Sequence, residues 1–161
     1  MERIRSLAIA GLALAGLGAL AACTHQQGLL TLNPQYRLVY DDKGETVALT
    51  YGLPNSDDLA LMLECPKGSG RVELTDTLRD ARTTAVVLAS DGRKTSVAVT
   101  RQVIEGPSDE ILLGHVPSSA PALQAFRRTG VLEVSGQDGR YTISVAAERR
   151  AGLERFFKVC G

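Results

Sequence analysis

The sequence predicts a mainly β domain with a minor α component: an antiparallel β-sandwich or barrel-like sheet, one short helix and a C-terminal helix. Three observations predict it. Between residues 37 and 145, short stretches of alternating apolar and polar residues follow one another. The breaks between them have the chemistry of tight turns: Asp41-Asp42-Lys43-Gly44, Pro66-Lys67-Gly68-Ser69-Gly70, Asp91-Gly92 and Gly136-Gln137-Asp138-Gly139. Only over residues 118–129 and 149–159 does the apolar spacing lengthen to the three-and-four pattern of a helix. Many short strands joined in this way suit a sandwich or a barrel.

The chain opens with a segment of another kind. Arg3 and Arg5 offset Glu2, and Ser6 to Ala19 is apolar or small, with Leu7, Ile9, Leu12, Leu14 and Leu17 spaced by Ala and Gly. Length and flanks read as a secretory signal, because a membrane-spanning helix needs about 20 apolar residues. The segment closes on Leu20-Ala21-Ala22-Cys23, which resembles the lipobox of bacterial lipoproteins. The resemblance implies a diacylglycerol on the Cys23 thiol, cleavage after Ala22 and acylation of the new amine. Residues 1–22 would be the signal peptide, and Cys23 the attachment to the lipid bilayer. Two or more acyl chains make such attachment stable, each buried methylene gaining roughly 0.8 kcal/mol. Thr24 stands where an Asp tends to retain lipoproteins of well-studied Gram-negative bacteria at the inner membrane. The resemblance therefore favours the outer membrane, with the domain facing the periplasm. Residues 23–35 read as a lipidated tether in which Leu29, Leu30 and Leu32 can dock on the domain or pair as an edge strand. The tether is brief, so the domain is expected close to the membrane.

Residues 36–161 read as a single β-rich domain. Arg37 to Tyr40 and Thr46 to Tyr51 flank the first turn, with Val47, Leu49 and Tyr51 on one face. Gly52 to Asp58 is a loop. Leu59, Leu61, Leu63 and Cys65 alternate with Ala60, Met62 and Glu64, which puts Cys65 on the apolar side. After the turn at 66–70, Val72 and Leu74 complete a second hairpin. Asp76 to Arg82 is a charged connection with room for a helical turn. Thr83 to Ser90 and Thr95 to Ile104 flank Asp91-Gly92, with Val97, Val99, Arg101 and Val103 on one side. Ile111 to Val116 is a short apolar strand. Over 118–129, Ser119 is placed to cap, Pro121 suits a first turn, Leu123 and Phe126 share a face and Gly130 follows. Val131 to Val134 and Tyr141 to Val145 make a fourth hairpin. Leu153, Phe156 and Phe157 form the apolar stripe of a last helix that ends at Cys160, expected to pack on Leu61 and Leu63.

Composition narrows the function. The chain carries 18 basic and 18 acidic residues, so it lacks the basic excess of a nucleic-acid-binding domain, and no nucleic-acid partner is expected. Trp is absent, with 3 Phe and 4 Tyr, which disfavours aromatic platforms for sugar stacking. With Cys23 lipidated, Cys65 and Cys160 remain. An even pair in an exported, oxidising compartment reads as a disulfide; the alternative is a free, redox-active or metal-binding pair. A bridge over so long a loop is worth on the order of 4–5 kcal/mol.

Three further stretches resemble exported proteins of alphaproteobacteria: Leu-Glu-Cys-Pro-Lys-Gly-Ser-Gly at 63–70, Leu-Gln-Ala-Phe-Arg-Arg-Thr-Gly at 123–130 and Leu-Glu-Arg-Phe-Phe-Lys-Val-Cys at 153–160. No activity follows from that resemblance. The strand–loop–helix end is also similar to invasion-associated locus B proteins, but the other cysteines of that family are missing, and no role is transferred.

Residues suited to catalysis or metal binding are sparse, with 2 His and 3 Cys. His25 lies in the tether and His115 in a short strand, and neither has a nearby G-x-S-x-G elbow. Zinc needs clustered ligands, which two distant histidines and a paired set of cysteines do not supply. Asp41-Asp42-Lys43-Gly44-Glu45 and Asp57-Asp58 are what turns demand and could hold calcium only weakly. Gly68-Ser69-Gly70 precedes a strand, unlike a phosphate loop. Arg127-Arg128 and Arg149-Arg150 are helix-end charges or an anion contact. No cofactor is implied and no enzyme is expected. The sequence thus points to a non-catalytic envelope lipoprotein that binds another envelope protein or a cell-wall component. The alternative is an inhibitor-like module acting on a lysozyme or protease, with Gly52–Asp58 or Gly106–Glu110 as the loop that enters the cleft.

Overall fold

The computed structural model describes residues 28–79, 82–104 and 110–161. Its strands are β1 (Arg37–Asp42), β2 (Thr46–Gly52), β3 (Leu59–Pro66), β4 (Arg71–Asp76), β5 (Ala85–Ser90), β6 (Arg93–Val103), β7 (Glu110–Pro117), β8 (Val131–Gly136) and β9 (Gly139–Ser144). The helices are α1 (Pro121–Thr129) and α2 (Arg150–Cys160), the latter entered through a 3-10 turn over Ala147–Arg149. The strands form a nine-stranded antiparallel sheet in the order β1-β2-β3-β4-β7-β6-β5-β8-β9, curled into a half-barrel.

The four hairpins expected from turn chemistry are present. β1 pairs with β2, β3 with β4, β5 with β6 and β8 with β9, with Gly44, Gly68, Gly92 and Gly139 at positive φ in the turns. The non-local pairs weld them together: Val72 faces Val116 where β4 meets β7, and Val99 faces Gly114 where β6 meets β7. Gly114 is required there. A Cβ on it would sit 2.8 Å from the Ala98 carbonyl oxygen and from a Val97 methyl, so only glycine lets β6 and β7 approach where the sheet bends.

Because neighbouring strands are antiparallel, the connections alternate between two ends. By register, β2, β4 and β6 finish on the edge of the sheet from which the β8–β9 turn also projects. The Cys65 end carries the turns after β1, β3 and β5, and both termini of α1. α1 lies on β5, β6 and β8, α2 lies on β2 and β1, and the two helices touch. One continuous core results, with Leu49, Leu63, Leu74, Leu88 and Leu132 from strands and Leu123, Phe126, Leu153 and Phe156 from helices, all fully buried.

Leu153, Phe156 and Phe157 join the same core as Leu61 and Leu63, with α2 crossing β2 and β1. Three details depart from the sequence reading. Ser119 does not cap α1: Ala120 holds that position without a side-chain bond, and the Thr95 hydroxyl on β6 instead accepts from the Ala122 N–H at 3.2 Å. Asp76 closes β4, and residues 77–79 form bends rather than a helical turn. Val103 follows the apolar alternation of Val97 and Val99 yet is 67% exposed, because β6 runs past the core there.

The chain upstream of β1 lies on the domain from Leu29 onward. The Leu30 N–H donates to the Arg140 carbonyl at 2.8 Å and the Arg140 N–H to the Gly28 carbonyl at 2.9 Å, adding a short parallel partner to edge strand β9. Gly139 makes this possible: its φ is +147°, and a Cβ would stand 2.6 Å from the Gly28 oxygen. Leu30 and Leu32 then pack against the core.

Candidate functional site

Cys23 and His25 lie outside the described residues. Cys65 and Cys160 are joined, with Cα atoms 5.6 Å apart, within the span a disulfide bridges. Both are fully buried. The C-terminus is also held by backbone: Gly68 N–H donates to Val159 O at 2.9 Å, Gly70 N–H to Cys160 O at 2.8 Å, and the Ser118 hydroxyl to Gly161 O at 2.6 Å. A Cβ on Gly70, whose φ is +63°, would meet only the Ser118 hydroxyl, at 3.7 Å. This staple is structural, because the sulfurs are spent on each other and shielded from water.

A second cluster was not visible as such in the sequence. Asp76 at the end of β4 and Arg79 three residues on have fully buried side chains. The Arg79 guanidinium donates to Asp76 Oδ2 at 3.0 Å, Asp138 Oδ1 at 3.0 Å, Gly139 O at 2.5 Å and Val134 O at 2.6 Å. The Tyr141 hydroxyl donates to Asp76 Oδ2 at 3.1 Å, and the guanidinium sits 5.2 Å over the Tyr141 ring. Burial raises the Asp76 pKa above the usual carboxylate range, against the pull of Arg79 and the Leu78 N–H. Burial likewise holds the Tyr141 phenol well above its ordinary value, with Asp76 adding to it. Every polar arm of Arg79 is committed within the chain, so this cluster pins the 77–79 bend to the β8–β9 hairpin. The i, i+3 spacing of Asp76 and Arg79 was the one sequence signal for it.

A cleft of about 260 Å³ opens between the strap at 32–36, β1 and the start of α2. Tyr36, Tyr51, Arg37 and Arg149 supply its polar groups and Leu32 and Leu38 its apolar wall. The two tyrosine rings meet edge to face, 5.9 Å apart. The Tyr36 phenol is pushed up to about 12 by burial, and then by its hydrogen bond to Asp58. Arg37 is held by Pro34 O at 2.8 Å and Tyr36 O at 2.7 Å, while Arg149 reaches Leu38 O at 3.3 Å and leaves its Nε buried without a partner. The cleft is smaller than the roughly 300–1,000 Å³ of most small-molecule sites. Arg37 and Arg149 give its wall a positive charge.

The remaining candidates are structural. His115 is half-exposed, 3.9 Å from Glu73 on the neighbouring strand. Asp42 pairs with Lys67 at 2.7 Å, which with the Gly44 N–H lowers its pKa. Arg127 pairs with Glu154 at 2.7 Å, tying α1 to α2, and Arg150 donates to the carbonyls of Arg127 and Arg128 at the end of α1. Among the described residues there is no group of three metal-ligating side chains, and no helix is long and apolar enough to cross a membrane. Compared with family models, with curated proteins and with solved structures, the chain matches none.

Proposed function

We propose that the chain is a lipid-anchored protein of the bacterial cell envelope, facing the periplasm, whose β domain is a non-catalytic binding or structural module. One observation carries this reading: of the 3 cysteines, two are consumed by the buried Cys65–Cys160 pair, leaving Cys23 alone, at the end of Leu20-Ala21-Ala22-Cys23. A disulfide suits an exported chain, and a single further cysteine after an apolar leader suits lipid attachment. The outer membrane is favoured by Thr24. The docked strap and the two-tyrosine cleft, with Arg37 and Arg149 in its wall, support a binding role. An envelope protein presenting an acidic side chain is the partner that this chemistry fits.

Cells fed radiolabelled palmitate test the anchor. Label is expected in the wild-type protein and its loss in Cys23→Ser. An unlabelled wild-type protein, indistinguishable from Cys23→Ser, would overturn the reading. Chemical crosslinking in intact cells then identifies the partner; Arg149→Glu is expected to lose that crosslink while keeping the palmitate.

A further inference from the structure

We propose that the solvent face of the two helices, α1 with α2, is a docking surface for an acidic, partly apolar segment of a partner protein.

Charge is unevenly placed in this chain. Overall, 18 basic residues balance 18 acidic ones. The two helices hold Arg127, Arg128, Arg150, Arg155 and Lys158 against Glu154 alone. They therefore carry a positive surplus, and the rest of the chain an equal negative one. Helical geometry gathers that surplus on one side. Leu123, Phe126, Leu153, Phe156 and Phe157 turn into the core, which leaves the charged positions on the opposite faces. The helices touch, and Arg127 pairs with Glu154 at 2.7 Å between them, so the two faces make one surface.

A groove of about 510 Å³ lies on that surface, lined by Arg127 of α1 and by Ala151, Glu154, Arg155, Lys158 and Val159 of α2. Its cations are unequally engaged. Arg127 is neutralised by Glu154. Arg155 is held over the Tyr40 ring, 5.2 Å from its centroid, with 63% of its side chain exposed and the Asp42 carboxylate 4.0 Å away. Lys158, nearly one turn on, is exposed. Arg128, at the end of α1, is 60% exposed and 3.9 Å from Asp91. Exposed pairs at such distances contribute little, so a partner's carboxylate can displace them without stranding a buried charge.

The lining selects the occupant. Guanidinium groups favour carboxylates, which they bind through two parallel N–H bonds. Ala151 and Val159 offer apolar contact, which a peptide with aliphatic side chains matches and a polyanionic glycan does not. Glu154 repels a uniformly anionic surface such as a bilayer of acidic lipid. A segment that mixes acidic with apolar side chains meets all three demands. The groove shares no residue with the two-tyrosine cleft, and the inference holds whether or not Cys23 carries lipid.

The test uses the full-length protein in intact cells. A benzophenone amino acid replaces Ala151 in the groove, or Ser96, which is exposed on the sheet face away from α1; the neighbouring Thr95 is the residue that meets the helix. After illumination, Ala151 is expected to yield an adduct with another protein, joined to a peptide that combines Asp or Glu with apolar residues, and Ser96 none. Adding Arg155→Glu with Lys158→Glu is expected to cut that adduct at least about tenfold, since charges that steer association change its rate by roughly 10–10³. Lys158→Glu alone is expected to act in the same direction, and retention of the Cys65–Cys160 bond in both variants checks the fold. Changing the partner's acidic residues to Lys is expected to restore the adduct with the reversed variant. No adduct at Ala151, an adduct with lipid, glycan or a second copy of this chain in its place, or a yield that charge reversal leaves unchanged would overturn the proposal.

Discussion

Replacing Arg79 with Met tests how much of the fold hangs on one buried cation. The substitution keeps much of the volume and removes four hydrogen bonds, to Asp76, Asp138, Gly139 O and Val134 O. Two carbonyls then lose a partner, at about 1–3 kcal/mol for each buried group left unsatisfied. Asp76 loses its counter-ion in a site with no exposed side-chain surface, and breaking a buried pair costs about 3–5 kcal/mol. These terms overlap, because Asp76 can take up a proton: burial already raises its pKa. The expected loss is therefore about 3–5 kcal/mol, a large part of the roughly 5–15 kcal/mol that holds a domain together. At a urea slope near 2 kcal/mol/M, the midpoint falls by about 2 M. Far-UV circular dichroism follows the transition, since the chain has no Trp. The double variant Asp76→Asn, Arg79→Met removes both charges and is expected to unfold later than Arg79→Met alone. A loss below about 1 kcal/mol for the single variant, or a double variant no better than the single, would refute the buried pair.

Other outcomes follow from the same geometry. Reducing Cys65–Cys160, or changing both to Ala, is expected to cost about 4–5 kcal/mol by loop entropy over its sequence separation of 95, read as a lower urea midpoint. Asp76 has a folded pKa above its unfolded value of 3.8, so its contribution to stability is full below that value and is lost as pH rises through the folded pKa. The stability of the wild type relative to Asp76→Asn is thus expected to be greater at pH 4 than at pH 7, measured by urea titration at each. Tyr36 is expected to ionise near pH about 12 by ultraviolet difference absorbance, and Asp58→Asn to move that titration down. Gly139→Ala places a Cβ against Gly28 O at φ +147°; hydrogen exchange at the Leu30 and Arg140 amides is expected to accelerate, with about 1–3 kcal/mol of strain.

Hairpins were legible in the sequence because their determinants are local. Asp91-Gly92 adopts two positive φ angles, 47° and 69°, as a tight two-residue turn demands. The helices were legible for the same reason: Gly130 takes the left-handed conformation after α1, and Leu153, Phe156 and Phe157 are buried on one face of α2. The order of strands was not legible. β7 enters between β4 and β6 through a fit of side chains far apart in sequence, and Gly114 shows its reason only beside Val97 and Val99. The candidate site divides in the same way. Cys65 and Cys160 could be paired by counting cysteines, whereas Arg79 looks like any charge in a connection until Val134, Asp138 and Tyr141 surround it. The cleft of Tyr36, Tyr51 and Arg149 needs three separate elements and leaves no local pattern.

The Cys65–Cys160 bond joins residues 95 apart in sequence. A ribosome that halts anywhere between these two codons releases a product whose first thiol can never be matched. Alkylation of Cys65 by a thiol reagent would therefore count molecules that stop short of Cys160, and quality control that recognises an unmatched cysteine would clear them while sparing every copy that reaches it.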